Sequence, residues 1–208
     1  MEAAALTRHE LDELYGAALT AALDADVCVL GGAGPLGAIP NDIYRRLATD
    51  IAGNGGTVVA DLSAEALDAA VAGRAAVLKT SHEELLRDGR ARCDEAAVLL
   101  DVIAEMADAT GGAVVCSRAE QPALAVAGGR AMTVTSPPLE PVESRGAGDS
   151  FTAGLATGVA RRASLEDALR LAGAAGGMNV TRHGLGSGRR EQIEALAAHV
   201  AVELLEGS

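Results

Sequence analysis

The segment Arg145-Gly146-Ala147-Gly148-Asp149-Ser150-Phe151 is the most informative part of this chain, because a glycine-rich turn leads directly into a helical run of small residues. Glycines let successive backbone N–H groups converge without Cβ clashes, and the positive end of a helix dipole adds to them, so such a turn can hold a phosphate. Asp149 is well placed to take a proton from an attacking hydroxyl. The segment therefore indicates phosphoryl transfer.

The same seven residues also have a simpler interpretation. Gly-Ala-Gly-Asp can be a tight turn with Asp149 as the N-cap of the following helix, as many α/β proteins contain. A glycine pattern alone does not decide between the two interpretations, so the rest of the sequence must.

Composition excludes several kinds of partner. The 208 residues suit one domain, 1–208, with a substantial core. With one Phe, two Tyr and no Trp, the chain offers few surfaces on which bases could stack. The net charge of -12 and the lack of a Lys/Arg-rich run argue against nucleic acid as a partner.

The cysteines and the hydropathy pattern indicate a cytoplasmic protein. Cys28, Cys93 and Cys116 are widely spaced and do not form a metal-ligand pattern, as expected in a reducing compartment. The N-terminus lacks the pattern of a secretory signal, and no apolar run approaches the roughly 20 residues that cross a bilayer. We therefore expect no membrane partner.

Alternating helical and strand patterns predict an α/β fold with a mainly parallel sheet. We predict helices over 7–23, from Pro40 to the stop at Asn54, and over 64–72, 92–109, 149–162, 164–179 and 189–205. Strands are predicted over 27–30, 57–60, 76–78, 113–116, 123–127 and 131–135, the last two forming a hairpin. Asp61, Lys79 and Ser117 follow three of these strands, where the sites of parallel sheets gather.

A second glycine motif suggests a different function. Residues 32–37, Gly-Ala-Gly-Pro-Leu-Gly, match the spacing of a dinucleotide-binding loop, and the next strand ends in Asp61. Pro35 and Pro40 make a loop more suitable there than the start of a helix. An NAD-binding Rossmann module remains an alternative, although it does not account for residues 145–151.

From about residue 24 onward, the order of motifs resembles the ribokinase/PfkB family of carbohydrate kinases, most closely its 1-phosphofructokinase/tagatose-6-phosphate kinase branch. Gly146-Ala147-Gly148-Asp149 is similar to the C-terminal signature of that family. Ile39 to Leu47 resembles the stretch that follows the family's Gly-Ser-Leu-Pro-Pro-Gly loop. Leu78-Lys79 with Glu83-Glu84-Leu85 resembles the family's Lys-Pro-Asn-x-x-Glu-Leu segment. Ala172 to Asn179 with Thr181 to Gly186 resembles the nucleotide-proximal helix and the Gly-x-Gly loop after it.

The resemblance implies a ribokinase-like fold, Rossmann-like with three α/β/α layers and a C-terminal β-hairpin. It implies that Asp149 deprotonates a sugar hydroxyl and that the turn Gly146, Ala147 and Gly148 is the anion hole. It also implies an ATP site that includes Ser117, Asn179, Lys79 and Gly184. It further implies that Glu84 helps to place a Mg²⁺ ion through water. From the residues alone, Ser117 can equally well be a cap at the end of a strand, and Asn179 can be a residue at the C-terminal end of a helix.

The chain also departs from the family pattern. Ala119 and Pro122 stand where the nucleotide strand-turn of the family has glycines, and Thr80-Ser81 replaces Pro-Asn. Glu143-Ser144 replaces the usual Asp/Asn-Thr before the glycine turn. The loss of the two glycines predicts weakened ATP binding, whereas Ser144 keeps the hydroxyl of the usual threonine.

The resemblance implies that the sequence lacks the N-terminal part of the family, as either an abbreviated relative or a fragment of a longer kinase. The family's first strands, sugar-recognition residues and β-lid have no counterpart here, so we expect an incomplete acceptor pocket and an exposed sheet edge that invites a homodimer. The leading hypothesis is an ATP- and Mg²⁺-dependent kinase of a sugar or sugar phosphate. The alternatives are a catalytically weak or inactive PfkB-derived protein that binds a nucleotide or a partner, and the NAD-binding module.

Overall fold

The computed structural model describes residues 6–32 and 39–205. Within these ranges helices and strands alternate for most of the chain. The helices are α1 (Arg8–Leu23), α2 (Asn41–Gly53), α3 (Ala64–Ala72), α4 (His82–Arg87), α5 (Ala96–Thr110), α6 (Ala147–Ala160), α7 (Leu165–Val180) and α8 (Arg190–Ala197). The strands are β1 (Cys28–Gly31), β2 (Val58–Asp61), β3 (Val77–Ser81), β4 (Ala113–Arg118), β5 (Gln121–Ala127), β6 (Arg130–Thr135) and β7 (Ala201–Leu204).

The chain divides into two compact units. The first contains the residues up to Val115 together with Ala127–Gly129, and the second contains Cys116–Val126 and the residues from Arg130 onward. Each unit holds one group of the residues singled out from the sequence.

The first unit is built on parallel strands. β1 pairs with β2 and β2 pairs with β3, and the second pairing places Asp61 opposite Lys79. Val59, Ala60 and Leu78 are fully buried, as expected for strands covered on both faces. The polar residues therefore come where these strands end.

The second unit depends on the close packing of α6 against α7. A Cβ atom added to Gly158 would lie 2.5 Å from the Cα of Ala168, and one added to Gly154 would lie 2.7 Å from the carbonyl oxygen of Leu171. The two helices can therefore approach this closely only because glycines face the contact. This packing fixes α6, which begins within the 145–151 segment.

The predicted hairpin is confirmed. β5 and β6 are neighbouring strands, and Gly128 and Gly129 between them have φ angles of +55° and +71°. Two consecutive residues with positive φ are the requirement of a type I′ turn, which glycines meet without strain.

The predicted last helix, 189–205, is wrong in its second half. α8 ends at Ala197, and β7 follows it and pairs antiparallel with β6, Val202 lying opposite Val134. The helical periodicity gives way here because the strand's backbone groups find partners on β6, which a sequence window does not reveal. The short helix α4 was not predicted, although Ser81 and Glu84 form the capping box that starts it.

Two further expectations, a dinucleotide-type loop and the lack of a membrane span, can be compared only with the described residues. In the dinucleotide-type motif, positions 33–37 lie outside them. Within them, no helix combines the length and the apolar character needed to span a membrane.

Candidate active site

The glycine turn forms the start of α6 in the second unit. Gly146 occupies the N-cap position with a left-handed φ of +79°. The N–H of Ala147 donates to the carbonyl of Ser144 at 3.2 Å, and that of Ser150 donates to the carbonyl of Gly146 at 2.9 Å. Between them, the amides of Gly148 and Asp149 belong to the first turn, which has no intrahelical acceptors for its donors. These two amides, with the positive end of the helix dipole, can bind an anion.

Glycine is favoured at position 146 because a side chain would be strained by the left-handed backbone. An added Cβ atom would also lie 2.6 Å from Cδ2 of Leu185, the end of a side chain that can move aside. Leu185 belongs to the loop after α7 and is itself 63% exposed. That loop therefore packs directly against the turn.

Asp149 is exposed on the first turn of α6. Its carboxylate makes no hydrogen bond or ion pair with the residues that the structure describes. The interpretation of Asp149 as the helix N-cap is wrong, because Gly146 holds that position and no side chain caps the helix. The carboxylate is thus open to a substrate hydroxyl, beside the two first-turn amides.

Asn179 lies behind the turn, near the end of α7, and is 1% exposed. Its Nδ2 donates to the carbonyl of Arg145 at 2.8 Å. Its Oδ1 accepts from the hydroxyl of Ser150 at 3.2 Å and from the N–H of Gly186 at 3.1 Å. One amide side chain therefore connects α7, both ends of the glycine turn and the loop after α7.

Glu143 forms a second connection between the turn and that loop. Its Oε2 accepts from the N–H of Gly184 at 3.1 Å, and its Oε1 lies 3.2 Å from the guanidinium of Arg145. The Gly184 N–H, more than the charges of Arg145 and His183, holds the pKa of Glu143 below its ordinary value. From the sequence, Glu143 was interpreted only as a departure from the family pattern, although its place just before the turn could have indicated a contact with the turn.

Ser117 is half-buried at the carboxyl end of β4 and also belongs to the second unit. Ala119 follows it with a φ of +51°, in the left-handed region that favours glycine. The backbone at this position therefore has a conformation that glycine adopts without strain, although the residue is an alanine.

The first unit holds Lys79, the only lysine of the chain, and Glu84. Lys79 is 5% exposed, and its Nζ lies 3.1 Å from Oδ1 of Asp61. Oε2 of Glu84 accepts from the N–H and the hydroxyl of Ser81, at 2.8 Å and 3.0 Å, and from the hydroxyl of Thr80 at 3.4 Å. Lys79 thus has an ionic partner in the half-buried Asp61, and Glu84 uses one of its oxygens to start α4.

Acidic and metal-binding side chains are dispersed. Across the described ranges, no three or more His, Cys, Asp or Glu side chains come together in a group that could hold a metal ion.

A cavity of about 340 Å³ lies among α6, α7 and α8 in the second unit, with Ser150 and Gly186 in its wall. At its rim the Glu194 carboxylate is 2.9 Å from Arg161 and 3.0 Å from Arg190. Hydrogen bonds from Arg190 and then Arg161 lower the pKa of Glu194. Glu194 thus forms an ion pair with each arginine, and these two pairs link the end of α6 to α8.

A family model described as pfkB family carbohydrate kinase matches residues 1–192. The chain belongs to this family. The PfkB resemblance read from the motif order is confirmed, including its proximity to 1-phosphofructokinases.

Two curated relatives are 1-phosphofructokinases. This chain is 30% identical over 190 residues to that of Bacillus subtilis strain 168, covering 88% of this chain and 59% of the relative. It is 28% identical over 206 residues to that of Vibrio cholerae serotype O1, covering 96% of this chain and 63% of the relative. The chain thus spans about three fifths of the length of the curated relatives that it matches.

Among solved structures, phosphofructokinase-2 from Escherichia coli in complex with potassium superposes with a TM-score of 0.83 at 26% identity, covering 95% of this chain and 64% of that one. The predicted ribokinase-like α/β fold is therefore confirmed.

Proposed function

We propose that this chain transfers a phosphoryl group from ATP to a hydroxyl of a sugar or sugar phosphate, as a phosphofructokinase-like kinase. The observation that carries the proposal is the Asp149 carboxylate, exposed and without a protein partner among the described residues, beside the first-turn amides of α6. Because the relatives are 1-phosphofructokinases, a phosphorylated sugar is the acceptor class that we favour.

In this proposal Asp149 accepts the proton of the attacking hydroxyl, which makes the oxygen a better nucleophile. The N–H groups of Gly148 and Asp149 orient the oxygens of the transferring group, and their alignment costs no reorganisation during the reaction. Gly146 keeps the approach to these amides free of a side chain. Ala147 contributes backbone geometry, since its N–H donates to Ser144.

The residues present fit ATP and Mg²⁺. The turn supplies first-turn amide donors and a helix N-terminus for phosphates, and within the second unit we assign Ser117 and Gly184 to the nucleotide, as the family resemblance implies. In the first unit the resemblance assigns Lys79 to the nucleotide and Glu84 to Mg²⁺ through water, which suits an ion that keeps several waters and binds mainly to phosphates. When bound, Mg²⁺ neutralises phosphate charge.

The test is coupled ADP release with Mg-ATP and fructose 1-phosphate, fructose 6-phosphate or tagatose 6-phosphate as acceptor. We expect acceptor-dependent turnover that falls about 10²- to 10⁴-fold in Asp149→Asn, which keeps the shape but removes the base. Asp167→Asn, at an exposed first-turn acid of α7, is the matched control and keeps full turnover. Equal turnover in Asp149→Asn and the native protein would refute the proposal.

The second candidate is a PfkB-derived nucleotide-binding protein with little or no activity. The observation that favours it is Ala119, a side chain held at positive φ in the turn expected to receive the nucleotide. Thermal stabilisation by ATP without ADP release from any acceptor supports this candidate, and acceptor-dependent turnover excludes it.

We also propose a cytoplasmic homodimer. Cys28, Cys93 and Cys116 form no disulfide within the described residues, as suits a reducing compartment. β1 stands at the end of the strand order, with β2 as its neighbour, and Val29 on it is 47% exposed. An edge strand of this kind can pair with the same strand of a second copy.

A further inference from the structure

We propose that Asn179 is a positioning residue that fixes the glycine turn in its reactive geometry. The sequence resemblance instead placed it among the residues that bind ATP. This inference rests on the proposed function, because the turn that Asn179 holds is the one assigned there to phosphoryl transfer.

The first argument is hydrogen-bonding capacity. A side-chain amide oxygen accepts two hydrogen bonds, and Oδ1 of Asn179 already has two, from the Ser150 hydroxyl and the Gly186 N–H. Its Nδ2 donates to the Arg145 carbonyl. Only 1% of the residue is exposed, so the second hydrogen of Nδ2 is also shielded from a nucleotide.

The second argument is where these partners lie. The Arg145 carbonyl immediately precedes Gly146, and Ser150 immediately follows Asp149, so the two bonds hold both ends of the four-residue turn. The third bond, to Gly186, holds the loop that places Leu185 against Gly146. Asn179 thus fixes the amides and the carboxylate of the turn relative to each other without touching a substrate.

A positioning role and a ligand role predict different kinetics. If Asn179 were an ATP ligand, Asn179→Ala would mainly raise the KM for ATP. If it positions the turn, ATP still binds, but Asp149 and the first-turn amides lose their alignment. A displacement of about 1 Å can cost on the order of 10²-fold in rate.

The experiment measures kcat and the KM for ATP in Asn179→Ala, in Ser150→Ala, which removes one of the three bonds, and in Leu169→Val. Leu169 is a fully buried residue of α7, so its shortening perturbs packing without touching the turn. We expect kcat to fall about 10- to 100-fold in Asn179→Ala and less in Ser150→Ala, with the KM for ATP within about threefold of native. Leu169→Val keeps native kcat.

Hydrogen exchange at the Gly186 amide, followed by NMR, tests the positioning role independently of turnover. Because that N–H donates to Asn179, it should exchange at least about tenfold faster in Asn179→Ala and keep its protection in Leu169→Val. If the native protein shows no turnover, the proposed function fails, and this measurement still decides whether Asn179 holds the loop. Unchanged exchange at Gly186, or a raised KM for ATP with native kcat, would overturn the inference.

Discussion

At the scale of single residues, the site combines elements that are ordinary in themselves. Gly146 has a left-handed backbone, Asp149 lies on the first turn of a helix, and Asn179 is a buried amide with saturated oxygen lone pairs. They can form a site because they lie next to one another. Dispersed over the chain, the same residues would form only a turn, a surface acid and a core hydrogen bond. Local sequence could indicate the first two, because glycine and acid patterns are local. The role of Asn179 depends on contacts 29 and 34 residues away along the chain, to Ser150 and Arg145.

Glu143 should make the native state sensitive to acid. Its pKa is lower in the folded protein than the ordinary value of 4.5, because the Gly184 N–H, Arg145 and His183 favour the carboxylate. The native state then binds fewer protons than the unfolded state, so this contribution to stability is complete above pH 4.5 and is lost as the pH falls through the folded pKa. We predict that Glu143→Gln lowers the free energy of unfolding at pH 7 and that its difference from native shrinks below pH 4.5.

The measurement is urea unfolding of both proteins from pH 3 to pH 7. Glu140→Gln, at an exposed glutamate in the same segment, provides the control and should track the native protein over the whole range. A Glu143→Gln curve parallel to the native one at every pH would contradict the assigned cause.

At the scale of elements, glycine has opposite effects in two helices. Gly158 in α6 faces α7, and a Cβ atom there would lie 2.5 Å from the Cα of Ala168. Gly16 in α1 has open space around it, with nothing within 4 Å of an added Cβ atom. We predict that Gly158→Ala lowers the free energy of unfolding by about 1–3 kcal/mol through overpacking. Gly16→Ala should raise it by roughly 0.5–1 kcal/mol, since alanine suits a helix interior better.

Chemical denaturation of the two variants against the native protein checks both signs at once. Because each change replaces a helix glycine by alanine, the difference between them reports the interhelical contact and not helix propensity. Stabilisation by Gly158→Ala would show that α6 and α7 are not packed this tightly.

The elements also show where sequence patterns stop being sufficient. The hairpin at Gly128-Gly129 was predictable because turn chemistry is local. The end of α8 was not, because residues 201–204 form a strand only through pairing with β6. Likewise, the separation between α6 and α7 depends on which face of α6 its glycines occupy relative to a partner helix.

At the scale of the whole molecule, the order of motifs predicted the fold better than any single motif did. The dinucleotide-type spacing at residues 32–37 satisfied a known pattern and still had less support than several weaker matches in the right order. The α/β alternation and the family were therefore accessible from sequence, since both depend on the order of segments. The two groups of site residues, one in each compact unit, could not be derived, because their partners are set by packing.

Among the described strands β1 has β2 as its only neighbour, and this edge leads to the last prediction, the homodimer. We expect sedimentation equilibrium to show a monomer–dimer equilibrium that depends on concentration, because a strand of four residues offers only a short pairing edge. Val29→Lys places a charge on this edge and should return the protein to a monomer. The stability of the monomer should change by no more than about 0.5 kcal/mol, because Val29 is 47% exposed.

Val142→Lys is the matched control for this change. Val142 is 51% exposed and lies outside the strands, so the same added charge on the surface should leave the dimer intact. If both variants dissociate equally, the cause is the altered net charge of an acidic protein and not the edge of β1. A protein that remains monomeric at every concentration, before any substitution, would contradict pairing through β1 altogether.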